Sequence, residues 1–132
     1  MKKQIIFVIV GILIILLGVF IFLRGFSLED TWIKDSRGVW ISHGNPSFIP
    51  KQVYEQQEAI NCAKELYHKE NNLGVQFSSQ CLGKCGNYSI DIVHFPRDSL
   101  DDLIQNQCED YRNGITKNFI ELNLNGEIVK IN

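Results

Sequence analysis

The residues of this 132-residue chain best suited to chemistry are four cysteines: Cys62, Cys81, Cys85 and Cys108. Cys81-Leu-Gly-Lys-Cys85 is one residue too long for the Cys-x-x-Cys of thiol oxidoreductases, and no βαβ pattern surrounds it. No histidine follows Cys85, so the pattern of covalent haem attachment is missing. Zinc would need thiolates joined by His43, His68 or His94, and no paired spacing supplies them. An even cysteine count reads instead as two disulfides, with three connectivities open. Cys62 and Cys108 both sit on or beside apolar stripes, which favours a Cys62–Cys108 staple between two helices and Cys81–Cys85 closing a loop.

Other candidate sites have plainer explanations. Asp91 and His94 are three apart, so within a strand they point to opposite faces, and the simplest dyad is lost. His43 and His68 are isolated, on a loop and a polar helix end. Asp98, Asp101 and Asp102 lack the spacing and central glycine of a calcium loop, and helix capping accounts for them. Trp32, Trp40 and His43 would make a stacking surface, but packing on a membrane interface or on the domain explains the tryptophans as well. Asn87-Tyr88-Ser89 matches the N-glycosylation acceptor pattern, a common chance match. No residue is assigned a catalytic, cofactor-binding or metal-ligating role; the four cysteines enter as disulfide partners.

The elements that must position these residues begin with an apolar run, Ile5–Leu23, of 19 residues without a charge or proline. At about 1.5 Å per residue it would span the ~30 Å hydrocarbon core of a bilayer. It exceeds the apolar region of a cleaved signal peptide, and Phe20-Ile-Phe-Leu-Arg24 offers no small-x-small cleavage site. The sequence therefore predicts an uncleaved, single-pass transmembrane anchor in the cell membrane over residues 1–24, contacting the lipid bilayer through residues 5–23. Gly11 and Gly18 are seven apart and do not form a Gly-x-x-x-Gly motif. Lys2 and Lys3 place the N-terminus in the cytoplasm and residues 25–132 outside. Arg24-Gly25-Phe26-Ser27-Leu28-Glu29 resembles the processing site of type IV prepilins, but there the apolar helix follows the cut and here it precedes it.

Lys2, Lys3 and Arg24 are three of the 13 basic residues, leaving ten against 15 acids, a net charge of −5 beyond the anchor. That balance lacks the basic footprint of a nucleic-acid binder. Residues 25–49 read as a juxtamembrane linker with a short strand at Val39-Trp40-Ile41. Residues 50–132 read as a small extracytoplasmic α+β domain.

In that domain a helix is predicted from Pro50 to about Asn71, with Val53, Gln57, Ile60, Ala63 and Tyr67 as its buried stripe. Strands follow at 75–81 and 88–95, separated by a glycine-containing loop over 82–87. A second helix is expected between Ser99, as its cap, and Asn113-Gly114. Asn125-Gly126 predicts a type I′ hairpin pairing Ile120 with Ile131, Glu121 with Lys130, Leu122 with Val129 and Leu124 with Glu127. The expected fold is α+β: an N-terminal transmembrane helix, then a mostly antiparallel sheet of about four strands with two helices. The expected function is a disulfide-stabilised binding or interaction domain held at the membrane, with an envelope protein partner and no cofactor. A thiol or hydrolytic enzyme, or a structural subunit of an envelope assembly, is the alternative.

Overall fold

The computed structural model describes residues 2–25 and 30–132, and the side chains of the first helix at positions 4, 7 and 9–22. Helix α1 covers Lys2–Gly25, and its described side chains are apolar and largely exposed apart from Gln4. Among the described residues no helix is long and apolar enough to cross a membrane. This overturns the transmembrane anchor and the single-pass membrane location. The side chains that set its orientation, Lys2, Lys3 and Arg24, and residues 26–29 of the prepilin-like stretch lie outside the described residues.

Residues 25–49 hold an antiparallel pair, β1 (Thr31–Lys34) and β2 (Trp40–His43), where one short strand was expected. Its register puts Trp32, Lys34 and Trp40 on one face and His43 on the other, so no shared stacking surface forms. The Lys34 ammonium lies 5.2 Å from the centroid of the Trp40 ring, and the Trp32 indole donates to the Phe48 carbonyl. Gln56 ties the pair to the next helix: it accepts from the Trp40 N–H at 2.8 Å and donates to the Gly38 carbonyl at 2.9 Å.

That helix, α2 (Lys51–Asn72), begins behind Pro50 and ends at Gly74, whose N–H bonds the Asn71 carbonyl at φ +78°. Val53, Gln56, Ala59, Ile60, Ala63 and Tyr67 are buried, so Gln56 replaces the expected Gln57 on the inner stripe. The stripe covers a four-stranded sheet in the order β3 (Gln80–Cys85), β4 (Tyr88–Ile92), β5 (Asn118–Leu122), β6 (Ile128–Ile131). Ile90, Ile92, Ile120 and Leu122 are fully buried beneath it. The chain is α+β, with two sheets and three α-helices among the described residues.

Three local expectations change. The expected strand at 75–81 lies later, because β3 runs through the supposed glycine loop and absorbs its extra residue as a bulge between Cys81 and Gly83. The second helix shrinks to a 3₁₀ turn (Ile104–Asn106) and the four-residue α3 (Glu109–Arg112). Two of the aspartates expected to cap it bond the crossover backbone instead: exposed Asp98 accepts through Oδ1 from the Leu100 N–H, while buried Asp101 accepts from the backbone N–H groups of His94 and Asp98. Such side-chain bonds offer the backbone an alternative to helix. In the last hairpin, Ile120 faces Ile131 and Glu121 faces Lys130 as expected, but Leu122 faces Ile128. Asn125 does not take positive φ, and Gly126 alone does, at +79°. The turn closes from the Gly126 N–H to the Asn123 carbonyl, a type I turn with a glycine bulge instead of type I′.

Candidate functional site

Strands β4 and β5 run parallel, so residues 93–117 must cross from one end of the sheet to the other, and they do so over the face opposite α2. Parallel register sets Ser89 beside Phe119 and Asp91 beside Glu121 on that face. The crossover leaves a cavity of about 170 Å³ lined chiefly by Asp91, Arg97, Asp101, Gln107, Tyr111 and Glu121. Ser89 and Thr116 share a buried hydroxyl pair at 2.6 Å, and Tyr111 meets Phe119 edge to face at 5.4 Å.

The charges within it divide into occupied and available groups. Arg97 donates through Nη1 to Glu121 Oε1 and through Nη2 to Asp102 Oδ1, leaving little of its guanidinium for an anion. Its protonated form is stabilised chiefly by the Glu121 bond. Asp101 is buried, which pushes its carboxyl up, but the N–H groups of Asp98 and His94 and the His94 ring outweigh that and hold it below its ordinary value. Nδ1 of His94 lies 3.0 Å from Asp101 and 3.2 Å from Asp98.

Asp91 differs. Burial lifts its carboxyl from 3.8 to about 6; the Cys108 N–H, donated to Oδ1 at 3.1 Å, opposes the rise and the Glu121 charge adds to it. Asp91 therefore titrates closest to neutrality of the shifted carboxyls, beside a second carboxylate held by arginine.

The disulfides are Cys62–Cys85 and Cys81–Cys108, with Cα separations of 5.9 and 4.7 Å. The expected Cys62–Cys108 and Cys81–Cys85 pairing is thus exchanged. Four residues apart on a regular strand, Cys81 and Cys85 would share a face. The bulge breaks that alternation, so Cys81 sits opposite Asp91 on the crossover face and Cys85 opposite Tyr88 on the α2 face. Each then meets the cysteine of the layer it faces.

His43, His68 and His94 do not converge with the cysteines; His94 is instead braced by Asp98 and Asp101, residues the sequence assigned to capping. The Asp91/Glu121 pair escaped sequence reasoning, because a parallel pairing across 25 intervening residues leaves no local spacing signal. A larger cavity, about 450 Å³, lies at the Cys62–Cys85 end among Tyr54, Glu55, Glu58 and Tyr88. The smaller cavity is where opposed charges meet, Arg97 with Glu121 and Asp102.

Fold and site together define a small α+β domain, stapled by disulfides on both faces of one sheet, with a polar cavity under a parallel crossover. Compared with models of protein families, with curated proteins and with solved structures, the chain matches none.

Proposed function

We propose that this small disulfide-stabilised domain is a binding module whose crossover cavity takes a small, donor-rich cation. The observation that carries this reading is the uneven use of charge: Arg97 is committed to Glu121 and Asp102, whereas Asp91 accepts a single hydrogen bond among the described residues. An anion would meet three acids and an arginine already paired; an ammonium or guanidinium head would meet the Asp91 carboxyl, whose one donor among the described residues is the uncharged Cys108 N–H. The cavity is smaller than a drug-sized pocket, which suits a head group rather than a cofactor. A lysine or arginine side chain of an envelope protein partner carries the same chemistry as a free cation. Two disulfides fit work in an oxidising compartment.

The test is an amide NMR titration with methylammonium and guanidinium chloride, with sodium acetate as the anionic control. Saturable shifts at Asp91, Arg97 and Glu121 with the cations alone are expected, weakened about fivefold or more by Glu121→Gln. Binding of acetate instead, or cation shifts spread over surface acids, overturns the reading.

One observation favours a hydrolytic alternative. Asp91, raised to about 6, stands beside an arginine-held glutamate, the split of protonation states that acid–base pairs use. Turnover of nitrophenyl esters or glycosides that disappears in Asp91→Asn would establish it; a rate equal to buffer excludes it for those substrates.

A further inference from the structure

We propose that Cys81–Cys108 is a thiol–disulfide exchange site, in which an incoming dithiol attacks Cys81 and Asp91 hands a proton to departing Cys108. This inference rests on the disulfide and its surroundings and does not depend on ligand binding in the crossover cavity.

The geometry differs at the two ends of the bond. Cys81 is exposed on the edge strand β3, whereas Cys108 is buried. A third cavity, about 180 Å³, opens on the bond between Cys81, Gly83, Lys84, Cys108, Glu109 and Asp110. Lys84 stands there, its charge offset by a 3.2 Å bridge to Asp110, so the exposure of Cys81 decides which sulfur is met first. Attack is therefore directed to Cys81. On the inner side, a carboxylate oxygen of Asp91 and both sulfurs lie within 4.8 Å of one another. The Gly83 and Ile90 carbonyl oxygens lie 3.5 and 3.4 Å from Cys108 Sγ, placed to accept its S–H once the bond opens. Those acceptors favour the neutral thiol over the thiolate, so Cys108 needs a proton as it leaves. A carboxyl whose burial lifts it to about 6 still carries that proton in part near neutral pH.

The step balances as follows. A thiolate of the dithiol bonds to Cys81 Sγ, the Cys81–Cys108 bond breaks, and Cys108 takes its electron pair and the Asp91 proton. The second thiol of the incoming molecule loses its proton to water and attacks its own sulfur in the mixed disulfide. Cys81 leaves as a thiolate and is protonated by solvent, which also reprotonates Asp91. Two electrons pass: the incoming dithiol becomes a disulfide, and Cys81 and Cys108 become thiols.

Cys62–Cys85 lacks these features. It borders a larger cavity, but Cys85 is buried in the apolar core, and among the described residues no His, Asp or Glu joins this pair within the same radius. The two disulfides should separate in a kinetic test on the full chain.

Dithiothreitol is added to the oxidised protein at pH values from 5 to 8, samples are quenched with iodoacetamide, and opened cysteines are assigned by peptide mass spectrometry. Cys81 and Cys108 are expected to open first, about tenfold or more ahead of Cys62 and Cys85. With excess monothiol, the trapped adduct is expected on Cys81. Asp91→Asn should slow this opening about threefold or more at pH 5, and the ratio of wild-type to variant rates should fall through an inflection near pH 6. First opening at Cys62–Cys85, simultaneous opening of both bonds, or an adduct on Cys108 overturns the proposal in wild-type protein, whatever the variant does. An Asp91→Asn rate and pH profile equal to wild type overturns the proton role.

Discussion

The two faces of the four-stranded sheet are built from different materials. Under α2 lie Ile90, Ile92, Ile120 and Leu122 against Ala59, Ile60, Ala63 and Tyr67, with Cys85 among them. Under the crossover lie Ser89, Asp91 and Glu121, met by Thr116, Arg97 and the Cys81–Cys108 bond. Burying carbon on the first face removes apolar area from water at roughly 25 cal/mol per Å². Burying oxygen on the second returns nothing unless each polar atom finds a partner. Among the described residues, no buried side-chain nitrogen or oxygen lacks one. One face thus supplies stability and the other holds its polar groups in place at close to zero net gain, with the same strands serving both.

Substitutions break this comparison in a graded way. Ile92→Ala empties a fully buried site on the α2 face and is expected to cost about 3–4 kcal/mol in urea unfolding; a loss below about 1 kcal/mol would mean that α2 does not cover a close-packed core. Arg97→Met acts on the other face. It strands Glu121, which is 9% exposed, and is expected to cost about 2 kcal/mol, less than a fully buried broken pair because the arginine side chain is 41% exposed. Adding Glu121→Gln to that variant should restore most of the loss. If it restores nothing, the charge on Glu121 was not what the arginine served. Gly126→Ala tests the edge of the α2 face, because its φ is +79° and a Cβ there would overlap the Tyr67 ring. About 1–2 kcal/mol is expected, with loss of the Tyr67 hydroxyl bond to the Leu124 carbonyl visible by NMR.

These two faces were unequally legible in the sequence. The α2 stripe and the β5–β6 pairing follow from periodicity and a turn within short reach, so Ile60, Ala63, Ile120 and Ile131 could be placed from residue order. Even there the misses are local: Gln56 is buried because it bonds the Gly38 and Trp40 backbone, a contact no period encodes. The crossover face was not readable, for two reasons. Asp98 and Asp101 read as caps of a helix, and instead fold the chain back by bonding nearby N–H groups. Leu82-Gly83 read as a loop, and is a bulge that reverses which face Cys85 takes. That single irregularity decides the disulfide pairing. The apolar run at 5–23 shows the opposite failure: hydropathy and length predicted a span, and the described helix does not meet the requirement for one.

The smallest effect expected is also the one that separates the faces most cleanly, because it turns on pH alone. Asp91 has a folded pKa near 6 against an ordinary 3.8. Between these values the folded state holds more of the Asp91 proton than the unfolded chain, so this group makes stability fall as pH rises from about 4 to about 6, and level off above. Its contribution is fully favourable below about 4 and is lost by about 7, the reverse of a salt-bridged carboxylate. The interval corresponds to roughly 3 kcal/mol as an upper bound. Asn keeps an oxygen for the Cys108 N–H but must place an amide in the site, so Asp91→Asn should stabilise the protein at pH 7 by only about 1–2 kcal/mol. Asp101, with its carboxyl held below the ordinary value, pulls the other way, its stabilisation being lost as pH falls below about 4. It is present in both proteins and cancels in their difference. The difference curve from urea unfolding at pH 4, 5, 6 and 7 should therefore rise up to about pH 6 and flatten above it. A flat curve would mean that Asp91 meets water as freely folded as unfolded, and that the polar face is open to solvent rather than roofed by the crossover.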